Sequence, residues 1–203
     1  MNYVDQGTAQ GAGLIGVNNG VVTIKSDNTN VASGRGRNSV RVTSKKQYTH
    51  GLVALDLGHM PGAACGIWPA FWMTGPNWPN SGEIDIIEGV NFQGQNAMTM
   101  HTGPGCSLIG KDCQGNQGCG LQTGGGQSYG DGFNQANGGV YVMEWTTQNI
   151  NIWYFGRGEV PNDLVAGNPN PLQWKWPTAQ FLGGDSCNID DHFRVSLPLA
   201  IST

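Results

Sequence analysis

Short stretches of the chain alternate apolar and polar residues with a period of two, which is the pattern of β-strands that bury one face. In NSVRVTSK, Val40 and Val42 fall on one face, whereas Ser39, Arg41 and Thr43 fall on the other. Similar segments are residues 20–26, 51–57, 69–74, 96–102, 139–145 and 149–155, and clusters of Gly, Asn and Pro separate them. Several short strands at such spacing predict an all-β fold, either a sandwich or a jelly roll.

The composition favours one glycine-rich domain. The 203 residues include 33 glycines, and only 12% are charged, against roughly 25% in a typical soluble domain. This length fits one domain of the larger all-β kind. A formal charge of -4 argues against a nucleic-acid partner, because such surfaces need clustered Lys and Arg. No stretch approaches the roughly 20 apolar residues of a membrane span, so we expect no membrane partner either.

The five cysteines indicate disulfides. Three of them, Cys106, Cys113 and Cys119, are spaced six or seven residues apart and not in the close CxxC pairs of a zinc site. Disulfides imply an oxidising compartment, and an odd count leaves one thiol unpaired. The glycine-rich residues 103–132 are predicted to form a long surface loop tied by a disulfide, and residues 159–174 a second irregular loop. The first residues, MNYVDQGTAQ, lack the basic and apolar pattern of an export signal.

The stretch GEIDIIEGV, residues 82–90, places three acids in a strand-like sequence. Glu83 and Asp85 would share one face while Ile84 and Ile86 pack into the core, and Glu88 would then fall on the core side. A β-bulge at Ile86–Ile87 would return Glu88 to the face of the other two acids. The glutamate backbones would then lie about 13 Å apart, and the carboxyl groups could approach the roughly 5–5.5 Å of a retaining glycosidase.

Three carboxylates this close predict unequal ionisation, because like charges raise the pKa of at least one member. The same cluster would also suit an acid-protected strand edge or a calcium site. Trp68, Trp72 and Trp78 lie shortly before the acids. Tryptophan rings stack on the apolar faces of sugars, so their presence favours a glycan cleft, although tryptophans, Trp68 in particular, can equally be core residues.

The combination of WPAFW, GEIDIIEGVN and MHT resembles the endo-β-1,3(4)-glucanases of glycoside hydrolase family 16, in particular the fungal laminarinases. The resemblance covers roughly nine-tenths of the chain. It implies a jelly-roll sandwich of two antiparallel sheets with a concave substrate cleft. It also implies that Glu83 is the nucleophile, Glu88 the general acid/base and Asp85 their assistant.

Further residues match positions where the family contacts sugar. Trp72, Trp78 and His101 occupy such positions near the cleaved bond, and we expect Trp68 and Arg41 to touch the glucan as well. His101 has the alternative of being an ordinary strand histidine. The resemblance implies neither a cofactor nor a metal.

The resemblance also shapes the expectations for the whole chain. We expect a single domain over residues 1–203 that is truncated at both ends, with the family's terminal strands missing, and a secreted monomer whose partner is a β-glucan polysaccharide. The expected activity is endo-hydrolysis of β-1,3 and β-1,3-1,4 glucans with retention of configuration. The alternatives are a non-catalytic β-glucan-binding protein and a cell-wall transglycosylase of the same fold.

Overall fold

The structure is a computed structural model that describes residues 1–123, 125–193 and the backbone of 197–202. The strands are β1 (Asn2–Tyr3), β2 (Ile15–Asn18), β3 (Val21–Ile24), β4 (Asn38–Ser39), β5 (Arg41–Tyr48), β6 (Gly51–Leu57), β7 (Ala70–Thr74), β8 (Glu83–Glu88), β9 (Ala97–His101), β10 (Ser107–Leu108), β11 (Lys111–Asp112), β12 (Cys119–Gln122), β13 (Gly139–Trp145), β14 (Asn149–Gly156), β15 (Ala179–Leu182) and β16 (Leu197–Ser202). The helices are α1 (Gln6–Gly11), α2 (Gly130–Gln135), α3 (Asn162–Val165), α4 (Ile189–His192) and a 3-10 turn at Pro171–Gln173.

Two antiparallel sheets form the body of the molecule, which confirms the predicted sandwich. The large sheet has the order β12-β9-β8-β7-β16-β5, and the small sheet has the order β15-β14-β13-β6. The predicted strands 51–57, 69–74, 96–102, 139–145 and 149–155 correspond to β6, β7, β9, β13 and β14. No helix in the part of the chain that the structure describes is long and apolar enough to cross a membrane.

The main core lies between the sheets because alternate side chains of each strand point inward. Ile84 and Ile86 of β8 are fully buried there with Met73 and Met100 from the neighbouring strands of the large sheet, and Ile152 of β14 contributes from the small sheet. The opposite face of β8 is therefore left for polar residues.

The outer face of the small sheet is also covered. Trp153 and Phe155 are buried there, and Trp174 packs edge-on against both rings at 5.2 and 5.5 Å between centroids. The covering segment includes α3 and the 3-10 turn, so the prediction of an irregular loop at 159–174 was wrong in part. The two helices in this segment are only four and three residues long, so they leave no periodic pattern in the sequence.

Other expectations also need correction. Residues 103–132 are not only loop, because β12 pairs with β9 and extends the large sheet. A strand follows the DDHF sequence, since β16 lies between β5 and β7, whereas the expected truncation at both ends stays a prediction. The assignment of Val40 and Val42 to one buried face was also wrong: Val40 is buried, whereas Val42 in β5, at the edge of the large sheet, is 42% exposed.

The cysteine prediction is confirmed. The disulfides join Cys106 to Cys187 and Cys113 to Cys119, and Cys65 is free and exposed. The second bridge joins residues six positions apart, and its Cys119 is the first residue of β12.

Candidate active site

The register of β8 contains the predicted bulge. On β7, Phe71 lies opposite Ile87 and Trp72 lies opposite Asp85, so Ile86 has no opposite residue. Glu83 and Glu88 lie opposite Thr74 and Ala70, which are four residues apart, and four strand steps correspond to about 13 Å. The bulge is thereby confirmed, while the separations of the two backbones and of the two carboxyl groups stay predictions.

A cavity of about 210 Å³ lies beside this part of β8. Its lining contains the three acids together with Met1, Tyr3, Trp68, Ala70 and Trp72. A larger cavity of about 490 Å³ lies between the β13–β14 turn and residues 182–189, where the lining includes none of these acids. We place the candidate site at the smaller cavity because carboxylates and exposed aromatic rings converge there.

Asp85 is the most enclosed acid of the site, with 2% of its surface exposed. Burial raises its pKa to about 7, and the neighbouring carboxylates of Glu83 and Glu88 add to the rise. His101 opposes this rise in the pKa of Asp85, since its Nε2 lies 3.2 Å from Asp85 Oδ2. This contact has the distance of an ion pair but not the angles of a hydrogen bond, because Asp85 Oδ2 has no hydrogen-bond partner among the described residues.

A hydrogen bond at its other ring nitrogen, Nδ1, orients His101. Nδ1 lies 2.7 Å from the carbonyl oxygen of Gly115, which can only accept, so Nδ1 carries a proton and donates it. Burial lowers the pKa of His101, but the contacts with Asp85 and Gly115 outweigh burial and raise this pKa to about 9. An imidazolium at neutral pH then faces the buried Asp85. The alternative of an ordinary strand histidine is not favoured by this placement.

Glu83 is half-buried, and its pKa is also raised. Burial is the main cause, the charge of Glu88 adds to the rise, and interactions with His101, Thr74 and Asp85 oppose it. The prediction that at least one acid has a raised pKa is therefore confirmed. The reason given for it was incomplete, because desolvation contributes more than repulsion between the carboxylates.

Glu88 is held by an indole. Nε1 of Trp68 donates to Glu88 Oε1 at 2.8 Å, and Trp68 is 48% exposed. The alternative that Trp68 is a core residue was therefore wrong. An N–H donor requires an acceptor, so a proton carried by Glu88 would be placed on Oε2.

The remaining predicted residues extend the site to both sides. The guanidinium of Arg41 lies 4.2 Å from the ring centroid of Trp72, whose buried Nε1 has no partner among the described residues. Trp78 is 42% exposed, and its ring lies 6.2 Å from that of His101. The structure thus brings all eight predicted residues into one connected set. Their contacts with sugar stay predictions.

The sequence reasoning missed Tyr3, Gly115 and Asn96. Tyr3 lines the cavity and is 43% exposed. Gly115 orients His101, and Asn96 contacts the backbone of the bulge at two points. An aromatic near the chain start, a carbonyl in a loop and a single asparagine have no recognisable pattern in sequence.

The atoms of Glu83, Asp85 and His101 that could ligate a metal ion lie within 4.8 Å of one another, as a metal site would require. Both nitrogens of His101 are already engaged, and calcium prefers six to eight oxygen ligands, so this set does not resemble a calcium site. A second group combines His192 with Cys106 and Cys187, which are joined in a disulfide and offer no thiolates. We assign no metal to either group.

The chain is similar to known proteins over most of its length. Residues 1–199 match the family model described as "XgeA-like, catalytic GH16 domain". The chain is 46% identical over 212 residues to the "Endo-1,3(4)-beta-glucanase" of Arthroderma benhamiae, covering 96% of this chain and 46% of that protein. It is 40% identical to the "Probable glycosidase C21B10.07" of Schizosaccharomyces pombe, covering 95% of this chain and 49% of the relative. The chain therefore spans about half the length of these relatives.

Two solved structures are similar over nearly the whole chain. Laminarinase 16A from Phanerochaete chrysosporium, with 6-O-glucosyl-laminaritriose in donor and acceptor sites, matches with a TM-score of 0.92 and 42% identity, covering 99% of this chain and 74% of that one. A β-1,3-glucosyltransferase described as elongating matches with a TM-score of 0.90 and 39% identity, covering 98% of this chain and 71% of that one.

Proposed function

Because the chain belongs to glycoside hydrolase family 16, we propose that it is an endo-acting hydrolase of β-1,3 and β-1,3-1,4 glucans that retains the anomeric configuration. The observation that carries the proposal is the bulge in β8. It turns Glu88 to the face of Glu83 and Asp85, so that all three acids line one cavity beside exposed tryptophans. Among relatives, the Arthroderma protein is named an endo-1,3(4)-β-glucanase, and the Phanerochaete structure holds β-glucan oligosaccharides.

In the proposed reaction, Glu83 attacks the anomeric carbon while Glu88 donates a proton to the leaving glycosidic oxygen. The glycosidic bond breaks, and an ester between the sugar and Glu83 forms. Water then attacks the same carbon and gives a proton to Glu88, and the ester breaks. Two inversions return the original configuration.

Neighbouring residues support these roles. Trp68 occupies Oε1 of Glu88, which leaves Oε2 for proton transfer. Asp85, whose pKa is raised to about 7, can donate a hydrogen bond from its carboxyl O–H to the ionised Glu83 before substrate binds. His101, held by Gly115, keeps a positive charge beside both acids.

The substrate class follows from the walls of the cavity. Trp68, Trp72 and Tyr3 offer ring surface on which glucose units can stack. We further propose that the protein acts as a monomer outside the cell. Two disulfides and the fungal relatives support the extracellular location.

The test is incubation with laminarin and with mixed-linkage β-glucan, followed by sizing of the products and NMR of the first anomer released. Endo-hydrolysis with retention predicts short β-configured oligosaccharides. Products longer than the substrate would favour transfer to a second sugar, the reaction named for the glucosyltransferase structure. Glucan binding without any product would favour a non-catalytic binding protein and refute the proposal.

The catalytic assignment has its own test. Glu83→Gln and Glu88→Gln should each lower kcat on laminarin by about 10³-fold or more while glucan binding persists. Glu159→Gln is the matched control, because it makes the same chemical change at an exposed carboxylate outside the cavity. Wild-type rates in either site variant would remove that residue from the mechanism.

A further inference from the structure

We propose that Asn96 is a positioning residue whose side-chain amide spans the bulge of β8 and fixes the face on which Glu88 lies. The inference rests on the proposed function, since it assigns a supporting role within the same site. Asn96 lies directly before β9. Its side-chain hydrogen bonds go to backbone groups of β8 and not to the carboxyl groups that line the cavity.

The bulge creates a local hydrogen-bonding problem. On β9, Asp85 lies opposite Thr99 and Glu88 lies opposite Ala97, so two residues of β8 face only Met98. A bulge of this kind interrupts the ladder and leaves backbone groups without a strand partner. In a buried strand such groups must find another partner, because an unsatisfied buried polar group costs about 1–3 kcal/mol.

The amide of Asn96 supplies both partners. Its Nδ2 donates to the carbonyl oxygen of Ile86 at 2.8 Å, and its Oδ1 accepts from the backbone N–H of Glu88 at 2.9 Å. The side chain thus substitutes for one peptide unit of a neighbouring strand. These two contacts lie on either side of Ile87, which is the point where the strand changes phase.

Only an amide of this length fits the task. The site needs one donor and one acceptor on a planar group, which asparagine has, whereas aspartate lacks the donor and alanine lacks both. Asn96 itself is fully buried, so its amide cannot exchange these bonds for water. Its backbone is fixed as well, because its N–H donates to Ser128 Oγ at 3.3 Å and its carbonyl accepts from the N–H of Thr123 at 3.0 Å.

The consequence concerns Glu88 more than Glu83. Glu83 precedes the bulge and keeps its place by ordinary pairing with Thr74 and His101. Glu88 follows the bulge, and a slip of one residue would turn its side chain toward the core. Weakening the bridge should therefore impair proton donation to the leaving oxygen and spare nucleophilic attack.

This division suggests a test with two substrates. A laminari-oligosaccharide needs a proton on its leaving oxygen, whereas a dinitrophenyl β-laminarioside has a leaving group that departs without one. For Asn96→Ala and Asn96→Asp, kcat/KM on the oligosaccharide should fall about 10²-fold, and kcat/KM on the aryl glycoside should stay close to the wild-type value. Asn151→Ala is the matched control, because it removes another buried strand asparagine, in the small sheet, and should leave both values unchanged.

The outcomes separate the two proposals. An equal fall on both substrates, or no fall on either, would overturn the role of Asn96. If wild-type protein cleaves neither substrate, the proposed function itself fails. Asn96→Asp keeps the volume of the side chain, so circular dichroism of the two variants distinguishes a folded protein with a displaced Glu88 from a protein that has lost its fold.

Discussion

Replacing His101 by glutamine should remove a pH dependence of stability that the structure builds into the site. His101 is only 12% exposed, and it lies between Asp85 at 3.2 Å and the carbonyl of Gly115 at 2.7 Å. Its pKa is raised from 6.5 to about 9 by these contacts, against the opposing effect of burial. Glutamine can keep one hydrogen bond but does not titrate.

The sign of the effect follows from linkage. Because the folded-state pKa of His101 is raised, its stabilisation is fully present below about pH 6.5 and is lost as pH rises through about 9. Burial raises the pKa of Asp85 from 3.8 to about 7, so the folded state holds an extra proton there, and stability also falls as pH rises from about 4 to 7. Both groups thus make the protein less stable toward alkaline pH.

The magnitude comes from the size of the pKa change. One pKa unit corresponds to about 1.36 kcal/mol, so the change at His101 corresponds to at most about 3 kcal/mol in the free energy of unfolding. It is an upper limit because the contact with Asp85 contributes to the pKa of both partners. The loss is expected between about pH 6.5 and 9, and Asp85 ionises within the lower part of this range.

Urea denaturation at several pH values from 6 to 10 measures the effect. The wild-type free energy of unfolding should fall by up to about 3 kcal/mol over this range more than that of His101→Gln. His59→Gln is the matched control, since it makes the same chemical change at an exposed histidine. Parallel profiles for the wild type and His101→Gln would refute the assignment of a stabilising proton to His101.

Two further predictions concern the sugar surface and the disulfide loop. Trp78→Ala should raise KM for laminarin about tenfold with little change in kcat, because the ring would lose its stacking contact with sugar, and tenfold corresponds to about 1.4 kcal/mol. Trp176→Ala is an equally large change at an 84% exposed ring, directly after the segment that covers the small sheet, and should change neither value. Unchanged KM in the first variant would exclude Trp78 from substrate contact. Replacing Cys113 and Cys119 together by serine should release the loop that carries Gly115 and lower kcat, measured on laminarin without a reducing agent, and full activity would show that the loop needs no disulfide.

Much of the fold was readable in the sequence because strand alternation is a local property of the backbone. Residues 139–145 and 149–155 alternate or run apolar between turn residues, and they form β13 and β14 within one residue of the predicted bounds. The secondary structure of residues 159–174 and 103–132 was predicted less accurately. Their short helices and the edge strand β12 depend on packing against a sheet already in place, and not on a repeating pattern of their own.

The same contrast applies to the candidate site. The sequence by itself determined that β8 needs a bulge, because three acids and three isoleucines cannot otherwise be divided between water and core along a strand of period two. Only the tertiary structure decided what holds that bulge and orients His101. Asn96 and Gly115 act through hydrogen bonds to residues 8 to 14 positions away, and such contacts exist only once strand pairing and loop closure have set the distances. Burial of Asp85 and Glu83 is likewise a property of the assembled sheet, which is why desolvation, and not the spacing of the acids, is the largest contribution to their raised pKa values.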